Sequence, residues 1–117
     1  MYEVRFYTTP GGNQPVRDYL WQLHAADPDE SASITDAIMQ LRKHGTYELT
    51  LIKLAHNHGN FIELRGGHQR IGYIWDRKAE AFFLLHAWKK SKKGTTKQDI
   101  KTTETRLKGH LARGGSK

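Results

Sequence analysis

The chain has 117 residues, a length that fits one compact domain and leaves little room for a second. It contains no cysteine, which excludes disulfide frameworks, thiolate zinc sites and cysteine nucleophiles together. Nineteen Lys and Arg against 12 Asp and Glu give a net charge of +7, and from Lys89 onward only Asp99 and Glu104 are acidic, so a polyanionic partner is one expectation and a solvated basic segment the other.

In chain order, Tyr2, Val4 and Phe6 alternate with Glu3 and Arg5 and predict an opening strand. Thr8 to Asn13 is a break, and Pro15 suits a first helical turn. Val16, Leu20 and Leu23 then predict a helix over 15–24. Ile34, Ile38 and Leu41 predict a second helix over about 29–44, stopped by Gly45. Leu49 to Leu54 reads as a short extended segment, and Asn57 to Asn60 as a turn. Residues 61–65, 69–75 and 79–88 read as three strands joined by connections of hairpin length. In the run Ala81 to Leu85 both faces are apolar, as in a central strand covered on both sides. Lys89 to Lys97 reads as irregular. Ile100, Leu107 and Leu111 place a last helix over about 98–111. This order predicts an α+β domain over 1–112, with a helical hairpin on one sheet face and a flexible tail over 113–117. The first residues, Met1 to Arg5, hold an early acid and no apolar run of signal-peptide length. About 18 consecutive apolar residues occur nowhere, so a cytoplasmic protein without membrane contact is expected.

Three groups of residues could carry chemistry. Arg65 and Arg70 bracket a predicted hairpin, and antiparallel pairing brings them together. Two like charges so placed suit an anion such as an RNA phosphate. The other reading is that they pair separately with acids such as Glu63, Asp76 or Asp99, since surface ion pairs are common. Next, a buried strand delivers Lys89, Lys90, Lys92 and Lys93 at its end. Lysines so presented could bind phosphate or stabilise transition-state charge, or form an ordinary solvated run. Trp88 is either a base-stacking platform or core. Finally, the seven histidines match no zinc spacing, so no metal and no cofactor is expected. His86 is either an acid–base group or a hydrogen-bonded histidine of the core.

The segment Lys53-Leu54 … Gly59-Asn60-Phe61-Ile62-Glu63-Leu64-Arg65 resembles the HigB-like toxins of the RelE/ParE superfamily, where a K-L … G-x-x-E-L-R stretch leads into a hairpin. Gln69 to Ile74 is similar to that family's x-R-I-x-Y strand. Phe83 to Lys93 resembles its L-L-H-x-F-x-K-K-x-x-K-T-P segment, with the first lysine pair one residue early, Trp88 for phenylalanine, and Gly94-Thr95-Thr96 in place of Thr-Pro. Asp99-Ile100 and Arg106 fall where the closing helix has E-I … R. The resemblance implies a RelE-like fold: an N-terminal strand and helical hairpin packed on a curved antiparallel sheet, with a C-terminal helix. It implies a toxin of a type II toxin–antitoxin pair, a metal-independent, ribosome-dependent messenger RNA endonuclease. The implied catalytic residues are Arg65, Arg70, Lys90 and Lys93, with Lys53, Lys89 and Lys92 binding RNA. Glutamine at Arg65 or Arg70 is then expected to abolish toxicity and leave the fold intact. The implied partners are the ribosome, messenger RNA and a helix-turn-helix antitoxin, with operator DNA reached only through that antitoxin. Two other readings share the fold or the charge: a ParE-like gyrase inhibitor and a non-catalytic nucleic-acid-binding protein.

Overall fold

A computed structural model describes residues 1–117. It contains β1 (Glu3–Phe6), α1 (Pro15–Ala26), α2 (Pro28–His44), α3 (Thr46–Leu51), β2 (Ala55–Asn57), β3 (Ile62–Gly66), β4 (Gln69–Asp76), β5 (Ala81–Lys89) and α4 (Lys97–Ala112). The α+β class stands, in an architecture compatible with a RelE-like fold. Pro15 and Pro28 open α1 and α2, where a missing N–H costs nothing. Asp27 makes the corner between them: its N–H donates to Leu23 O at 2.7 Å, and its side chain accepts from Glu30 N at 3.2 Å. No helix is long and apolar enough to cross a membrane.

The segment expected to be extended over 49–54 is instead the helix α3 and the turn after it. Leu49 and Leu51 suggest alternation, but Leu49 is fully buried in the core beside α2, and tertiary burial outweighs a local strand pattern over so few residues. Leu54 N donates to Leu49 O at 2.9 Å and Lys53 takes a positive φ of 62°, which turns the chain into β2.

The sheet order is β1-β5-β4-β3-β2. Its last four strands pair antiparallel, but β1 lies parallel to β5, with Glu3 opposite Ala81 and Phe6 opposite Leu84. The sheet is therefore mixed, not wholly antiparallel as expected. Parallel neighbours require a long crossover, and the chain from α1 through β4 supplies it. On one face, Val16, Ile34, Leu41 and Leu49 pack on Leu64, Ile71, Tyr73, Phe82 and Leu84. On the other, Leu107 of α4 covers Phe61, Ile74, Leu85 and Trp88. The interior strand β5 is thus buried on both sides, as its composition predicts.

A bulge refines this picture. Gly72 pairs with His86 and the next residue, Tyr73, with Leu84. Leu85 is the extra residue, so the in–out alternation of β5 changes phase there. Without it, His86 and Trp88 would lie on the side of Phe82 and Leu84. With it, both turn toward α4.

Candidate active site

The topology collects basic residues at one end of the sheet. The end of β3, the start of β4 and the end of β5 lie side by side: Arg65 is directly opposite Arg70, Arg70 opposite Trp88, and Gln69 opposite Lys89. Arg65 N donates to Leu54 O at 2.8 Å, which places Lys53 one residue from this edge. Lys90 N donates to His68 O at 2.7 Å and fastens the start of the lysine segment to the hairpin tip. That tip is itself anchored. Glu30 of α2 accepts from His68 N at 3.0 Å and from Gln69 Nε2 at 3.1 Å, while Tyr19 of α1 donates to Gln69.

Arg65, Arg70 and Lys90 line one cavity of about 130 Å³ with Glu63, Gly94 and Thr95, and no hydrophobic side chain borders it. Glu63 is its centre of organisation. Oε2 accepts from Arg65 Nε at 2.9 Å and faces Arg70 Nε at 3.6 Å. Oε1 is bonded to His58 Nε2 at 2.9 Å and accepts from the Thr95 hydroxyl. Of the two sequence readings of the arginine pair, separate acidic partners do not occur: both guanidiniums share one carboxylate. Three cations against one anion leave the cavity net positive.

Burial sets the electrostatics. Glu63 is 2% exposed. Burial pushes its carboxyl up, but hydrogen bonds from Thr95, Arg65 and His58 and the Arg65 charge outweigh that and hold it below the usual carboxylate range. Arg70 is 8% exposed, and its NH1 donates to Gly67 O at 2.9 Å and to Gln69 O at 2.8 Å. Burial and the neighbouring Arg65 charge lower its pKa against the pull of Glu63 and Glu30. Arg70 therefore braces the hairpin as well as lining the cavity. These hydrogen bonds add an expected cost in stability to replacing Arg70.

His86 lies on the same face but has both ring nitrogens engaged. Nε2 is 3.0 Å from Asp99 Oδ1, and Nδ1 is 3.2 Å from Arg106 NH1, which also donates to Leu85 O at 3.0 Å. Arginine can only donate, so Nδ1 accepts and Nε2–H donates to Asp99. This clasp joins β5 to α4, and His86 reads as a held histidine rather than an acid–base group. Trp88 is buried against Leu85 and Leu107, with the His86 ring stacked on it at 5.1 Å, so it is core and not a platform.

Of the residues singled out from sequence, Arg65, Arg70 and Lys90 come together around the cavity. Lys53, Lys89, Lys92 and Lys93 are exposed around it and do not line it. Thr95 and His58 were not foreseen as members of the site, and Glu63 was foreseen only as a possible partner of one arginine. For Glu63 a signal existed, because residues two apart on a strand share a face, which puts Glu63 beside Arg65. No three His, Asp or Glu side chains gather in a way that could hold a metal ion.

No curated protein matches the chain closely enough to count as a relative. The sequence model of the family described as phage derived protein Gp49-like matches residues 22–108, which span the end of α1, all of α2, the arginine strands, the lysine segment and most of α4. A match over that much of the domain, including every wall of the cavity, settles the family: this chain belongs to the phage-derived Gp49-like proteins, a family of RelE/HigB-like toxins of toxin–antitoxin systems.

Proposed function

We propose that this toxin halts translation by cutting messenger RNA on the ribosome. The observation that carries the reading is the convergence of Arg65, Arg70 and Lys90, from three segments, on one small polar cavity. In the proposed reaction the RNA's own 2′-oxygen attacks the adjacent phosphorus. The new P–O2′ bond forms as the P–O5′ bond breaks, giving a 2′,3′-cyclic phosphate and a 5′-hydroxyl. The 2′-hydroxyl loses a proton and the leaving 5′-oxygen gains one. Arg65 and Arg70 clamp the phosphate and offset its growing charge. Lys90 and Lys93 assist the proton transfers or add positive field, and Lys53, Lys89 and Lys92 hold flanking RNA. Such a step needs a proton acceptor, a charge clamp and a proton donor, but no metal.

The family implies a cognate antitoxin. We take it to be a helix-turn-helix protein that neutralises this basic edge and carries the operator binding, and we place the toxin's action in the cytoplasm, where ribosomes are.

The test compares naked messenger RNA with the same message on programmed ribosomes and maps the cut ends. Ribosome-dependent cuts ending in a cyclic phosphate, and lost in Arg65→Gln, support the reading. Folded protein that cuts neither substrate overturns it; filamentation with a DNA-damage response on expression would then point to gyrase. Salt-sensitive RNA binding without product would point to a binding module.

A further inference from the structure

Glu63 is the one acidic side chain lining the cavity, and both its oxygens are engaged. Three donors bond to it: His58 from the turn after β2, Arg65 on β3, and Thr95 from the segment between β5 and α4. Arg70 on β4 adds an ion pair to Oε2 at 3.6 Å. A buried carboxylate bonded in this way, and held below the usual range, is a poor proton acceptor. An anion beside two phosphate-binding arginines also opposes ligand binding. A charge that weakens binding and is not a base needs another reason to be there.

The geometry supplies one. Oε2 stands between the two guanidiniums and sets their spacing. Oε1 holds Thr95, which follows Gly94 and its positive φ of 83° in the turn that carries Lys92 and Lys93. We propose that Glu63 is the positioning residue of this site, fixing the arginine pair and registering the 90–96 lysine segment over it through Thr95. The proposal rests on the RNA-cleavage reading for its catalytic consequence, though not for its structural one. Its ligand is the phosphodiester of single-stranded RNA.

Glu63→Gln keeps the shape but turns one acceptor into an amide donor facing donors. Thr95→Val removes only the link to the lysine segment, and Thr95→Ser restores it. Three quantities decide the matter: single-turnover cleavage, affinity for a non-cleavable 2′-O-methyl oligoribonucleotide, and amide hydrogen exchange over 90–96. Thr95→Val is expected to slow cleavage about 100-fold, the scale of an ångström-sized misplacement. Its oligonucleotide affinity is expected to stay near wild type, its 90–96 amides to exchange faster, and Thr95→Ser to reverse both changes. Glu63→Gln is expected to slow cleavage while binding the oligonucleotide more tightly, with a salt slope steeper by about 0.7 for the one negative charge removed. A residue with only a structural role would not move rate and affinity in opposite directions.

Unchanged exchange and unchanged cleavage in Thr95→Val would overturn the proposal, as would weaker oligonucleotide binding by folded Glu63→Gln. If wild-type protein cuts no RNA, the cleavage reading falls, and exchange and binding still decide the role of Glu63. If Glu63→Gln does not fold, the Thr95 pair of variants decides it.

Discussion

Arg65 and Arg70 face each other as direct partners on β3 and β4, yet they are unequal: the Arg65 side chain is 36% exposed and that of Arg70 10%. The two glutamine variants should therefore part company. Arg65→Gln leaves His58, Thr95 and the Arg70 charge on the buried Glu63 carboxylate and can offer it an amide donor, so its melting temperature should fall less than that of Arg70→Gln. Its cleavage rate should fall about 100- to 1000-fold, the loss seen when one charge-stabilising donor is removed. Arg70→Gln strips a buried guanidinium from Glu63, Gly67 and Gln69, and breaking such a buried pair costs about 3 kcal/mol or more. It should lose both activity and stability, measured by denaturant unfolding. Full toxicity of a folded Arg65→Gln protein would sink the phosphate clamp.

This contrast shows what the sequence could and could not convey. Hairpin length alone places Arg65 opposite Arg70, because antiparallel register across a short connection is a local matter. The helices α1, α2 and α4 are local too, written in the spacing of Val16, Leu20, Ile34, Leu41, Ile100 and Leu107. The parallel docking of β1 on β5 joins residues far apart in the chain, and alternation identifies a strand without naming its partner. The β5 bulge is equally silent, yet it decides that His86 meets Asp99. Around Glu63, the Arg65 pairing follows from strand alternation, but Thr95 arrives from 32 residues away, which no local pattern encodes.

The lysines should divide according to their place. Lys90 lines the cavity, so Lys90→Gln should lower the cleavage rate at saturating RNA. Lys53, Lys89 and Lys92 stand exposed outside it. Their glutamine variants should weaken binding in a nearly sequence-independent way, each reducing the salt slope by about 0.7 for every phosphate left without its lysine. Steady-state cleavage and oligonucleotide binding at several salt concentrations would separate the two groups. A Lys90 variant that changed affinity alone would move this residue to the flanking set.

Stability should decline as the pH falls from neutrality, in two stages. Burial depresses the His86 pKa below its ordinary 6.5, helped by Arg106 and opposed by Asp99. The unfolded chain then binds this proton before the native protein does, so stability is full above about pH 6.5 and is lost as pH falls through the folded value. Lower down, Glu63 and Asp76 act with the same sign. Burial raises both, but hydrogen bonds hold both below their ordinary values. For Asp76 these come from Ala79 N, Ser116 and His110. Ser116 and the hydrogen bond of Arg113 to Thr8 draw the expected flexible tail, 113–117, back onto the domain. Denaturant midpoints should fall between pH 7.5 and 5.5, and His86→Gln, which keeps a donor for Asp99 without the titration, should flatten that step. A step of unchanged size in this variant would assign it to another group.

At Gly72, α4 approaches the sheet too closely to leave room for a Cβ. A Cβ built there would lie 2.6 Å from Thr103 Cγ2 and 3.0 Å from Thr103 Oγ1, and Thr103 is fully buried with its hydroxyl donating to Asp99 O at 2.8 Å. Gly72→Ala should therefore push α4 outward and strain the His86–Asp99 clasp, at a cost of about 1–3 kcal/mol for overpacking. Thr103→Ala alone removes a buried methyl and a hydroxyl and should also destabilise. Together they should not add: the space left by Thr103 admits the new methyl, and the double variant should recover about 1 kcal/mol relative to the sum, the scale of coupling between touching residues. Urea unfolding of the four proteins measures that coupling. Simple additivity would mean that the helix does not rest on Gly72, and that the seat of α4, and with it the approach of Thr95 to Glu63, is set elsewhere on the sheet.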